Sequence, residues 1–154
     1  MSLPTYRHLL VPTDFGDAAR VATEHAIAIA KRFDAKLTLL HAYELPRIDY
    51  GEVIPWPIQD LEDQAQRALD RALADVKAVH PTVDGLVVLG DPHGQILDVA
   101  EKRRCDLIVM GTHGRRGFSR ILLGSVAERV VRFSPVPVLT MSTPAGAAER
   151  TRAT

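Results

Sequence analysis

Leu107-Ile108-Val109-Met110-Gly111-Thr112-His113-Gly114, followed after nine intervening residues by Gly124-Ser125-Val126, is the stretch on which the reading of this chain turns. Four successive apolar residues with no polar alternation fit a short strand covered on both faces. Gly111 ends the run, and the segment that follows is dense in glycine, arginine and hydroxyl side chains. Residues 125–133 then read as a helix. A strand, a glycine-rich loop and a helix start make one βα unit, and the rest of the chain repeats that unit.

Working outward, residues 8–11 (His-Leu-Leu-Val) predict a first strand stopped by Pro12, with Asp17 as N-cap of a helix over 18–33. That helix has Val21, Ala22, Ala26, Ile29, Ala30 and Phe33 near helical spacing. Residues 36–43 predict a second strand. Residues 44–57 hold Pro46, Gly51, Pro55, Trp56 and Pro57, which rules out a regular helix there. A loop of this length is either a lid or partner surface, or a plain surface excursion. A helix over 58–79 carries Leu61, Ala65, Ala68, Leu69, Ala72 and Val76 on one face and ends at His80-Pro81. A third strand over 86–89 stops at Gly90-Asp91-Pro92. A helix over 94–103, a strand over 107–110, the helix over 125–133 and a strand over 136–141 complete the order βαβαβαβαβ.

This is the pattern of an open, doubly wound α/β fold: a parallel sheet with right-handed crossovers and helices on both faces. Residues 1–141 are expected to form a single domain, and residues 142–154 a disordered tail rich in Ala, Thr, Gly and Arg. In such sheets ligands bind beyond the carboxyl ends of the strands, so residues 12–16, 41–44, 90–93 and 111 onward are the informative ones.

The bulk composition narrows the class. Of 154 residues, 46% are hydrophobic and 25% charged, enough for a full core. Nineteen Lys and Arg balance nineteen Asp and Glu, which argues against a protein dedicated to coating nucleic acid. The single cysteine, Cys105, forms no intrachain disulfide and reads as a packing residue. The first residues do not have the pattern of a signal peptide, and no run approaches the roughly 20 apolar residues of a membrane span. A cytoplasmic location is the expectation.

The loop after residue 110 carries the chemistry. Glycines let backbone N–H groups approach an anion, and a run of them makes an anion-binding concavity. Gly124-Ser125 opens a helix whose first N–H groups lack partners and carry partial positive charge, a good seat for phosphate. Singly, each residue has a plain reading as turn or cap; their combination at the crevice favours a phosphate site. Two commoner phosphate loops are absent. No GxxxxGK followed by Ser or Thr occurs, and the first strand leads into Pro12-Thr13-Asp14-Phe15-Gly16, not GxGxxG.

The spacing G-x2-G-x9-G-S/T, met by Gly111, Gly114, Gly124 and Ser125, resembles the universal stress protein family. So do His8 through Asp14, Leu39-Leu40-His41-Ala42, Val109 through Gly114, and Ser134 through Leu139. The resemblance spans roughly residues 5 to 141. It implies a five-stranded parallel sheet of order 3-2-1-4-5, of the adenine nucleotide alpha hydrolase-like kind. It also implies a homodimer paired through the last strand, here Val136-Pro137-Val138-Leu139-Thr140-Met141. Retention of the glycines and serine implies the ATP-binding branch, with Mg as a potential companion of the nucleotide. Carried over, Asp14 would contact the adenosine beside Pro12 and Thr13, and Ala42 would line the adenine site. Met110 and Gly111 would pack near ribose and base. Gly114, Gly124, Ser125 and Val126 would hold the phosphates. A phosphate role for Arg115 and Arg116 is an inference from their place in the loop alone.

Plainer roles stand beside these. Asp14 is equally placed to cap a helix. His41 ends a strand and reads as packed, and His113 reads as an exposed loop residue, with a phosphate contact as the alternative. The six histidines lack HExxH or other ligand spacing, so no structural metal is expected. Asp60, Glu62 and Asp63 suit a solvated helix start. Asp14 and Asp91 are candidates for a divalent ion accompanying ATP. A nucleotide-dependent stress-response regulator with slow or no hydrolysis leads. An ATPase or nucleotidyl-transfer enzyme using the same pocket, and a ligand-free dimeric interaction module using residues 44–57, are the alternatives.

Overall fold

The computed structural model describes residues 1, 3–45, 57–113 and 123–143. Strands and helices alternate: β1 (His8–Pro12), α1 (Asp17–Phe33), β2 (Lys36–Tyr43), α2 (Ile58–Lys77), β3 (Val83–Leu89), α3 (Pro92–Lys102), β4 (Leu107–Gly111), α4 (Ser125–Phe133) and β5 (Val138–Met141). The strands form one 5-stranded sheet of order β3-β2-β1-β4-β5, and every pairing is parallel. The expected fold is therefore the observed one.

The absence of polar alternation in the inner strands has a simple cause. Leu9, Val11, Leu37, Leu39, Leu107 and Val109 face one core with the alanines of α1 and with Leu69 and Val76 of α2. Leu10, Leu40, Ile108 and Met110 face a second core with Ile96, Val99 and Ala100 of α3 and with Ala127 and Val130 of α4. Each of these strand residues is buried whichever way it points. Helix α1 buries Ala18, Ala19, Ala22, Ala26 and Ala30. Small side chains let it lie close against β1 and β4. Among the described residues, no helix is long and apolar enough to cross a membrane.

Several element boundaries differ from the sequence expectation. Pro12 is the last residue of β1, where a strand end tolerates the missing N–H. Gly16, in extended conformation, is the N-cap of α1; Asp17 is its first helical residue and favours its dipole from there. Helix α2 stops at Lys77 and not at residue 79. Strand β3 begins at Val83 and takes in Asp84 and Gly85. A Cβ on Gly85 would stand 2.6 Å from Leu73 and 3.0 Å from Leu69, so α2 packs over this bare backbone. Helix α3 starts at Pro92, favoured at the first helical position, with Asp91 as N-cap accepting from Gly94 N–H at 3.0 Å. Strand β4 extends one residue further, through Gly111. Strand β5 begins at Val138; the preceding Ser134-Pro135-Val136 forms a turn closed by the Ser134 hydroxyl. Cys105 is buried, and its thiol is pushed up to about 11 by burial, so it is a packing group. Of the expected loop over residues 44–57, residues 46–56 with Trp56 lie outside the described residues, as do residues 144–154 of the expected tail over 142–154.

Candidate functional site

The sheet order reverses between β1 and β4: from β1 the chain winds to β2 and β3, and from β4 it winds to β5 on the other side. The connections therefore diverge above the carboxyl ends of β1 and β4 and leave a crevice there. Its first wall is β2. Pro12 pairs with Leu40, so His41, Ala42 and Tyr43 overhang the end of β1 and pair with Val87, Val88 and Leu89 of β3. That overhang carries Ala42 to the crevice side.

The chain leaving β1 is pinned tightly. Thr13 N–H donates to Leu40 O at 2.8 Å. The Thr13 hydroxyl accepts from Phe15 N–H at 3.0 Å, and the Asp14 carboxylate accepts from Gly16 N–H at 2.8 Å. Phe15 sits at φ 64, an unusual conformation for a bulky side chain, and these bonds hold it there. His41 supports the same turn: its Nδ1 is 2.8 Å from Thr13 O, and because a carbonyl only accepts, Nδ1 carries the proton. Its ring packs on Phe15 with centroids 4.6 Å apart. Asp14 thus belongs to a local turn at the mouth of the crevice and is half-buried there.

The second wall comes from β4 and α4. Met110 is buried in the core beneath, and Gly111 lies against α1. Thr112 N–H donates to Met141 O at 2.8 Å, and Thr112 O accepts from Gly124 N–H at 2.7 Å. This last bond ties the start of α4 to the end of β4. Gly124 is the N-cap, in extended conformation and without a side-chain cap; Ser125 is exposed at the first helical position, with Val126 half-buried behind it. Among the described residues no side chain of the N-cap satisfies the first N–H groups of α4, the groups that an acceptor at a helix start would bond. His113 differs from its expectation as an exposed loop residue. It is half-buried, its Nδ1 lies 2.9 Å from the Thr112 hydroxyl, and its buried Nε2 finds no hydrogen-bond partner among the described residues. Such a nitrogen costs free energy unless something bonds it.

The structure thus brings Pro12, Thr13, Asp14, Ala42, Met110, Gly111, Gly124, Ser125 and Val126 to the carboxyl end of one sheet. Gly114, Arg115 and Arg116 lie outside the described residues. Sequence reasoning missed Phe15 and His41 as supports of the turn. Asp91 is engaged elsewhere, capping α3 and pairing with His93. Among the described residues no group of three or more His, Cys, Asp or Glu could hold a metal ion. A separate cavity of about 500 Å³ opens below Thr13, Phe15 and Gly16, between α1 and α2, floored by Leu39, Ala72 and Val76.

Comparison with known proteins agrees with this architecture. The model of the universal stress protein family matches residues 5–141. Universal stress protein MJ0531 of Methanocaldococcus jannaschii is 36% identical over 142 residues, covering 90% of this chain and 84% of the relative. The solved structure of the M. jannaschii protein MJ0577, whose biochemical function was assigned on the basis of structure, is 28% identical with a TM-score of 0.78, over 93% of this chain and 100% of that one. A universal stress protein solved in complex with cAMP is 27% identical with a TM-score of 0.69, over 90% of this chain and 98% of that one. With a family model spanning nearly the whole of it and a sheet of the same order as its solved relatives, this chain belongs to the universal stress protein family.

Proposed function

We propose that this protein binds an adenine nucleotide, ATP in the leading reading, and acts in the cytoplasm as a nucleotide-dependent stress-response regulator with slow hydrolysis or none. The observation that carries the reading is the Thr112 O to Gly124 N–H bond. It holds the open N-terminus of α4 beside the glycine at the end of β4, at the switch point of the sheet. The buried His113 Nε2 on the same loop, without a partner among the described residues, fits a ligand acceptor. The relative solved with cAMP supports an adenine nucleotide as the ligand class. Base and ribose would lie against Pro12, Thr13, Asp14, Ala42, Met110 and Gly111. The phosphates would lie at Gly124, Ser125 and Val126 together with Gly114. Magnesium accompanying a triphosphate takes oxygen ligands and waters, which the phosphates supply.

Calorimetric titration with ATP, ADP, AMP and cAMP tests the reading, paired with mass spectrometry of small molecules released from freshly purified, denatured protein. At least one adenine nucleotide should bind with a measurable heat. No heat with any of them at millimolar ligand, together with no released nucleotide, overturns the reading.

The same reading includes a homodimer through β5. That strand pairs with β4 on one side, and Val131 and Phe133 of α4, just before it, are exposed. Among the described residues its other edge pairs with no strand, and such an edge invites pairing with another strand. Light scattering at tens of micromolar protein should give twice the 16.9 kDa chain mass. A mass of one chain at that concentration contradicts the dimer.

A further inference from the structure

At the opposite, amino-terminal end of the sheet the face under α3 changes character. Leu10, Leu40 and Leu86 continue downward into His8, Thr38 and Asp84, a polar row beneath an apolar one. Thr38 is fully buried. Its hydroxyl donates to Asp84 Oδ1 at 2.6 Å, and His8 Nε2 lies 2.8 Å from the same hydroxyl oxygen. On its other side, His8 Nδ1 lies 3.2 Å from the carbonyl oxygen of Arg103, the residue that ends α3. Asp84 also receives Lys36 Nζ at 2.7 Å and Arg103 Nη1 at 3.2 Å.

Counting protons exposes a conflict. Asp84 is ionised: burial alone would raise its pKa, but the bonds from Lys36 and Thr38 and the charges of Lys36 and Arg103 hold it below the usual value. An ionised carboxylate only accepts, so the one hydroxyl proton of Thr38 is spent on Asp84. Thr38 then offers His8 a lone pair, and Nε2 must donate. The Arg103 carbonyl also only accepts, so Nδ1 must donate as well. Both bonds exist together only in the imidazolium. The neutral ring gives up one of them, or else turns the Thr38 hydroxyl away from Asp84.

We propose that His8 is a proton-operated clasp between the end of α3 and strands β1 and β2. Neutral, it costs the network one bond, either one of its own or the bond from Thr38 to Asp84; charged, it bonds the Arg103 carbonyl and the Thr38 hydroxyl at once and leaves the Thr38 proton on Asp84. Every neighbouring element contributes to the balance. Lys36 comes from β2, Asp84 from β3 and Arg103 from the end of α3. Before β4, Asp106 accepts the N–H groups of Arg7 and His8, and the Cys105 thiol is neutral below about 11. Burial is the largest influence on His8 and disfavours its charge. The Arg103 carbonyl and Asp84 favour it, Lys36 and Arg103 oppose it, and the result lies below the ordinary 6.5. The clasp therefore stands neutral at pH 7 and takes up its proton only below 6.5. Because the unfolded chain takes up this proton first, stability falls as the pH drops below 6.5, and the loss levels off once the folded protein is also protonated.

Long-range nitrogen NMR of the His8 ring in the intact protein, from pH 8 to pH 4.5, reads the charge on each ring nitrogen directly. The expected result is one protonated nitrogen at pH 8, two at the acid end, and a midpoint below 6.5. Urea unfolding gives a second measure. The wild-type midpoint should fall between pH 7.5 and pH 5, and His8→Gln should flatten that fall; the window stays above the range in which Asp84 titrates. Thr38→Val, which removes the hydroxyl acceptor, should move the His8 midpoint. A His8 midpoint at or above 6.5, or a pH dependence of unfolding the same in His8→Gln as in wild type, overturns the proposal. The NMR result on wild-type protein decides the matter even if both variants fold poorly.

Discussion

Gly111→Ala is expected to lower the unfolding free energy by about 1–3 kcal/mol, the range for forcing extra volume into a packed interior. The cause is steric and local. A Cβ at this position would stand 2.8 Å from Ala18 Cβ, 2.9 Å from Ala18 C and 3.0 Å from Ala19 N. Two of these are backbone atoms of α1, which do not step aside as a flexible side chain would. Helix α1 would have to lift from β4, and its buried alanines with it. Gly111 has no positive φ, so backbone strain adds nothing and the whole cost is the collision. Gly111→Val should cost more than Gly111→Ala for the same reason. In a domain of this size, each kcal/mol corresponds to roughly 2–4 °C in the melting midpoint. Urea and thermal unfolding of the two variants measure the effect. Wild-type midpoints for both would mean that α1 does not rest on β4 as described.

Gly124→Ala is expected to weaken nucleotide binding by roughly ten- to a hundredfold, the loss of about one charge-assisted hydrogen bond or two. A Cβ there would meet Thr112 O at 2.8 Å. That oxygen already accepts the Gly124 N–H at 2.7 Å. The added methyl group forces the two backbones apart and swings the start of α4 away from the end of β4. The first N–H groups of the helix then miss the position at which phosphate would sit. Ser125→Ala is the companion variant. Ser125 is exposed at the first helical position and is not the N-cap, so its loss should cost a single hydroxyl contact and leave the helix start in place. Titration calorimetry with the nucleotide that binds wild type most tightly reads both. Wild-type affinity in Gly124→Ala would detach the phosphate site from α4 and return the glycine to a purely structural role.

Much of the fold was legible because the inner strands are buried on both faces. Runs such as Leu9-Leu10-Val11 and Leu107-Ile108-Val109-Met110 leave no room for a half-exposed strand, and apolar runs separated by helical periods dictate parallel crossovers. The misreadings share a different cause. The strand expected over 86–89 begins at Val83, so Asp84 and Gly85 lie inside β3. Asp84 is paid in hydrogen bonds from Thr38, Lys36 and Arg103, and Gly85 makes room for Leu69 and Leu73. Asp17 looks like a cap, but Gly16 takes that position because Asp14 has already turned the chain onto its N–H. In each case a contact from a distant or neighbouring segment outweighed the local propensity of the residue.

The same division runs through the site. The glycine spacing from Gly111 to Ser125 carries the resemblance to the family in the sequence alone, and the proposed anion seat follows from bare backbone next to a helix start. Sequence also determined the alternation of elements, the doubly covered sheet and the two ends of the chain's chemistry-bearing loops. Tertiary structure alone decided that Thr112 O holds Gly124, that His41 and Phe15 brace the turn after β1, and that His113 presents a buried nitrogen without a partner among the described residues. It alone assembled His8, Thr38, Asp84 and Arg103 into one proton-counting network. Those residues are separated by as much as 95 positions along the chain. Hydrogen bonds depend on angstrom-scale approach between strands and helices, and a linear sequence fixes which groups exist without fixing which of them meet.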